Sequence, residues 1–140
     1  MLRHTNIFLF LIISAILLSW SVVETEQVSK WISDPAADTL KNPFRADTLA
    51  YKEGKKIYDG TCWTCHGKSG RGDGPAAKSL IVKPADHTDP IVQKQSDGAL
   101  FWKINKGRGQ MAPYEKTYSK AQRWKLVNYI RRLGKTGGTK

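Results

Sequence analysis

Cys62-Trp63-Thr64-Cys65-His66 constrains this chain more than any other feature. A Cys-x-x-Cys-His run is an attachment signature for covalently bound haem. Two thiols three residues apart reach the vinyl groups on neighbouring edges of a porphyrin and form thioethers, while the histidine beside the second thiol turns its imidazole toward the iron. On a helix, Cys62 and His66 lie one turn apart on one face, so a single turn supplies both tethers and the proximal ligand. Other chemistry competes for the same residues. A thioredoxin-like redox pair needs a preceding strand and a βαβ setting, and no convincing strand run is present. A zinc site needs four ligands, usually in two separated pairs, and beyond the motif only His87 remains outside the N-terminal segment.

The sixth iron position follows by elimination. Met1 is the initiator and Met111 the only other methionine, so a thioether ligand, if there is one, is Met111. It lies in Gly107-Arg108-Gly109-Gln110-Met111-Ala112-Pro113-Tyr114, where glycines and a proline predict a fixed loop. The competing role is that of a gap-filler in an apolar core, the usual work of a lone methionine. His87 is the other candidate. Flanked by Pro84, Asp86, Asp89 and Pro90, it reads as an exposed loop histidine. His66/Met111 ligation would raise the haem potential and leave no open position for substrate.

Residues 47–134 resemble a monohaem class I cytochrome c of the bacterial, exported kind. Cys62, Cys65 and His66 match the haem motif; Gly54, Tyr58 and Cys62 match the family's glycine, aromatic and first-cysteine spacing; Leu126 and Tyr129 match the pair that packs on that glycine. The resemblance implies an all-α fold of three to four helices wrapped around one covalently bound haem c, with the first and last helices crossing at Gly54. It also implies that Pro75, in the glycine-rich loop after the motif, offers its carbonyl to His66, a partner of the kind that fixes an axial imidazole; a plain turn proline is the alternative. Many relatives place proline directly after the methionine, whereas here Ala112 intervenes before Pro113.

Four segments are expected. Residues 1–23 form a signal peptide or an N-terminal transmembrane anchor: Arg3 gives a positive start, and residues 7–23 are almost continuously apolar, longer than the usual signal core of about 7–15 residues and at the lower limit of about 17 for a span. Either outcome places the domain on the periplasmic side of the bacterial inner membrane, anchored or soluble. Residues 24–46, broken by Pro35 and Pro43, read as a polar linker whose Trp31 and Phe44 pack back on the domain. Residues 47–134 are the cytochrome domain and 135–140 a flexible tail. Roughly 90 residues are marginal for a stand-alone core, so buried haem contributes to folding.

Within the domain, a first helix spans about residues 48–58 and runs into the motif. Glycine in a helix costs about 1 kcal/mol relative to alanine, so Gly54 marks a close backbone crossing. A short helix is possible over residues 75–80. Ser96 or Asp97 caps a middle helix ended by Gly107. Its Phe101 and Trp102 either line the haem pocket, with the Trp102 indole on a propionate, or pack in the core. Arg108 pairs with a propionate or is solvated. The last helix opens with the capping box Ser119-x-x-Gln122, carries Trp124, Val127, Ile130 and Leu133 at helical steps, and closes at Gly134.

Lys and Arg number 23 against 12 Asp and Glu, a formal net charge of +11. The lysines are scattered without the aromatic interleaving that grips single strands, so nucleic acid is not the expected partner. A basic surface near an exposed haem edge would instead steer brief encounters with acidic redox proteins or membrane respiratory complexes. The expected function is that of a monomeric c-type electron carrier making no bonds on a substrate. A haem relay subunit of a larger oxidoreductase is the alternative, followed by a haem enzyme or gas sensor with a displaceable sixth ligand.

Overall fold

A computed structural model describes residues 31–136. The expectations for residues 1–23 and for most of the tail lie outside the described residues. Among the described residues there are helices and turns and no strand, only an isolated bridge between Arg108 and Met111. No helix there is long and apolar enough to cross a membrane. The domain is all-α, as expected.

Helix α1 (Ala50–Ile57) runs without a break through a π-helical turn (Tyr58–Cys62) into α2 (Trp63–His66). Such widened turns recur at functional sites, and this one turns Tyr58 fully inside while delivering Cys62 to the motif. Helix α3 (Pro90–Gln93) starts at Asp89, whose carboxylate accepts from Ile91 N at 2.6 Å, with proline in the first turn. Helix α4 (Asp97–Lys106) is capped by Ser96, which accepts from Ala99 N at 2.9 Å. Helix α5 (Lys120–Thr136) opens on the expected capping box: Ser119 N donates to Gln122 Oε1 at 2.8 Å and Gln122 N to Ser119 Oγ at 3.2 Å. It runs past Gly134 to Thr136, because that glycine does not cap the helix but admits the Gln93 side chain, which a Cβ would displace.

The dominant packing contact is α1 across α5. A Cβ on Gly54 would overlap the Lys125 carbonyl oxygen and come within 2.6 Å of its carbon, so the two backbones touch where the sequence pattern put the crossing. Beneath it lies a core of Tyr58, Leu100, Ile104, Leu126, Val127 and Ile130, with Phe101 stacked on Trp124 at 3.9 Å. Phe101 is therefore a core residue. Trp102 stays half-buried outside that cluster.

The linker expectation needs revising. The compact unit begins at Ile32, not near residue 47. A 3₁₀ turn (Pro35–Thr39) buries Ala37 against α4, so closely that a Cβ on Gly98 would strike the Ala37 carbonyl. Asn42 donates to Asn128 at 2.8 Å, and Asn128 donates to the Phe44 carbonyl at 2.7 Å. Phe44 does pack on the core.

Candidate haem site

The motif sits at the end of one continuous helical run, with Cys62, Cys65 and His66 half-buried and neither thiol in a disulfide. Burial, then the neighbouring Cys65, pushes the Cys62 thiol up to about 12. Carbonyl groups at a helix C-terminus lack intrahelical partners, and here the chain itself supplies them. Residues 67–76 fold back along the motif as a strap: Gly72 N donates to His66 O at 2.8 Å, Gly74 N to Cys65 O at 3.1 Å and Ala76 N to Thr64 O at 2.9 Å. The approach is so close that a Cβ on Gly74 would overlap the carbonyls of Trp63 and Thr64.

His66 Nδ1 lies 3.0 Å from the carbonyl of Ala85. A carbonyl accepts only, so Nδ1 carries the proton and Nε2 keeps its lone pair for a metal. Burial lowers the His66 pKa and favours the neutral ring; the Ala85 bond opposes this in part but orients the ring. This corrects the expectation for Pro75. Pro75 is exposed within a strap committed to capping the motif, and the carbonyl that reaches His66 belongs to the next segment along the chain.

His87 also departs from expectation. It is 8% exposed, not a loop histidine in solvent, and its ring stacks on His66 with centroids 4.2 Å apart and planes 17° from parallel. Two imidazoles stacked face to face cannot point their nitrogens at one iron from opposite sides. Burial, then the neighbouring His66, holds its pKa well below the usual histidine value.

Met111 is half-buried in a turn closed by reciprocal bonds, Arg108 N to Met111 O at 2.9 Å and Met111 N to Arg108 O at 3.0 Å. Tyr114 N then donates to Ile104 O at 3.0 Å, returning the loop to α4. The expected fixed loop is thus present. Gln110 beside it accepts from Ile81 N at 2.8 Å, which joins this loop to residues 80–82. The structure brings Cys62, Cys65 and His66 together with Ala85 and His87, while Trp102 lies on α4 and Met111 in the loop that follows it. Ala85 is the site residue that sequence reasoning missed, and no local pattern announced it; His87 was weighed as an axial ligand in an exposed loop, and its buried place against His66 was not legible.

Tyr58 anchors the motif from below. Its hydroxyl donates to Gly67 O at 2.8 Å, its ring meets Tyr129 edge on at 5.0 Å, and burial raises its pKa well above the usual value of about 10. The folded state then keeps a proton that the unfolded chain gives up, so this contribution is full below about pH 10 and is lost as pH climbs toward the folded value. Tyr58→Phe is expected to cost about 1 kcal/mol at neutral pH and to flatten the alkaline loss of stability. Denaturant titrations at neutral pH and at pH above 10 check both.

Free thiols spaced for thioethers, beside a neutral imidazole with one nitrogen already bonded, are the donor set that covalent haem requires, and the residues fit it. The helical domain built around them is that of a class I c-type cytochrome. The family described as "Cytochrome C oxidase, cbb3-type, subunit III" matches residues 49–130, and the chain belongs to it. Its cofactor is haem c, joined through Cys62 and Cys65, and its chemistry is haem-based electron transfer. No curated protein matches the chain at a significant level. Among solved structures, a chain of the Kuenenia stuttgartiensis reducing HAO-like protein complex is similar, with 31% identity and a TM-score of 0.60 over 67% of this chain. The match covers 49% of that chain, so the present chain spans about half its length.

Proposed function

We propose that the domain is a single-haem electron carrier on the periplasmic side of the bacterial inner membrane, with His66 and Met111 as axial ligands. The observation that carries the reading is His66 Nδ1 bonded to the Ala85 carbonyl beside two half-buried free thiols. Bound haem supplies a one-electron couple. The residues supply everything that keeps it in place: Cys62 and Cys65 tether it, the Ala85 carbonyl orients His66, and the closed turn at Arg108–Met111 holds the thioether. The half-buried Trp102 indole would serve as the donor to a propionate. With both axial positions filled from the protein, no site is left for substrate, and the domain passes electrons without catalysing bond changes. Optical spectra of oxidised and reduced protein, exported in a host with haem-maturation machinery, test the reading. Sharp reduced bands that survive acidified-solvent extraction support it, and a colourless product ends it.

Exposed Lys68, Lys78 and Lys83 sit in the strap and in the segment leading to Ala85. In this reading they steer acidic redox partners. Charge reversal at all three is expected to slow the reaction with an acidic partner several-fold at low salt and little at high salt, because exposed charges are screened beyond about 8–10 Å at 0.1–0.15 M ionic strength. Stopped-flow rates across a salt series measure this; an unchanged rate at low salt would make these lysines incidental.

A second reading is favoured by the company the chain keeps. Its family is described as an oxidase subunit, and the similar solved chain belongs to a protein complex. In that case the haem is one relay among several. Co-purification of a stable complex that reacts poorly with free carriers would select it.

A further inference from the structure

His87 is held from several sides. Its N–H donates to Gly70 O at 2.6 Å, and its carbonyl accepts from Gln93 Nε2 at 2.5 Å. The same amide reaches Ile130 O of α5 at 3.1 Å. With the main chain pinned, the ring lies flat on His66 and receives the Tyr58 ring at 5.8 Å and 66°. Tyr58 in turn is bonded to Gly67, the residue after His66. Packing therefore runs from the core through His87 to the proximal imidazole.

Half of the side chain's polarity goes unused. His87 Nδ1 is buried with no hydrogen-bond partner, a condition that costs about 1–3 kcal/mol and that an apolar residue of similar size would avoid. What distinguishes the imidazole from such a residue is its flat face. One hydrogen bond to Ala85 fixes a point on the His66 ring and leaves it free to rock about the Nδ1–oxygen line. A flat ring against its face removes that freedom.

We propose that His87 is a positioning residue for the proximal ligand: its stacked ring, with the Ala85 carbonyl, fixes the plane in which the His66 imidazole meets the iron. Groups around a metal site orient its ligands and tune the metal in this way. The orientation of the ligand plane sets the magnetic anisotropy of the ferric state, so it is measurable apart from electron-transfer activity. The inference rests on the haem reading.

The test uses the holoprotein and two variants. His87→Phe keeps a flat ring and is expected to retain the wild-type ferric g-values and the order of the haem methyl proton shifts. His87→Leu removes the flat face and is expected to move or broaden both, with a shifted midpoint potential. Wild-type spectra and potential in His87→Leu overturn the proposal, as does a His87→Phe shifted as far as His87→Leu. The native protein tests it even if neither variant folds: methyl shifts whose order changes with temperature would show a rocking plane and overturn it. A colourless native protein would end the haem reading itself, whereas any of these spectral outcomes requires haem to be bound.

Discussion

Gly54→Ala is expected to destabilise the holoprotein by about 2–3 kcal/mol, although alanine is the better helix former by about 1 kcal/mol. The new Cβ meets the Lys125 carbonyl oxygen and carbon and comes within 3.0 Å of Leu126 Cα. All of these are backbone atoms of a packed helix, so relief requires α1 and α5 to separate, and overpacking of this kind typically costs about 1–3 kcal/mol or more. Separation would also loosen Tyr58 and Leu126, which are buried beneath the crossing. Gly60 is the matched control. A Cβ there has nothing within 4 Å, so Gly60→Ala is expected to be neutral or slightly stabilising through the unfolded state. Denaturant midpoints followed by far-UV circular dichroism separate the two, and equal midpoints would remove the close crossing from the account.

The Gly54 crossing was legible because it is written in residues close along the chain: a glycine inside an amphipathic run, four residues before an aromatic and eight before a cysteine. The Ser96 and Ser119 caps, and the motif itself, were legible for the same reason. What stayed hidden depends on pairing between distant segments. Ala85 reaches His66 only because His87 N–H bonds Gly70 O and the strap before it is occupied in capping the motif. The prolines and aspartates around His87 therefore suggested a solvent loop, although the ring is buried. The same holds for residues 32–46, whose polar composition suggested a linker although Ala37 and Asn42 dock on α4 and α5. A glycine's role is equally non-local: Gly134 and Gly107 look alike in sequence, yet only Gly107, at φ 61°, ends its helix.

Met111→Ala is expected to let carbon monoxide bind stoichiometrically to the reduced protein at neutral pH and to lower its midpoint potential, with far-UV circular dichroism unchanged. The two hydrogen bonds that close the turn run between main-chain atoms of Arg108 and Met111, so alanine preserves the loop and removes only the thioether. A methionine sulfur opposite histidine raises a cytochrome potential, which gives the direction of the change. The competing role of Met111 as apolar filler predicts a different pattern: lost stability, an unaltered spectrum and no carbon monoxide binding. His87→Phe supplies the crossed comparison. Were His87 the axial partner, that substitution and not Met111→Ala would open the iron to carbon monoxide, but a ring stacked 4.2 Å from His66 is beside the proximal ligand, not across from it. Carbon monoxide bound by Met111→Ala and refused by His87→Phe therefore assigns the sixth ligand to the glycine-flanked loop, and the reverse result assigns it to the histidine.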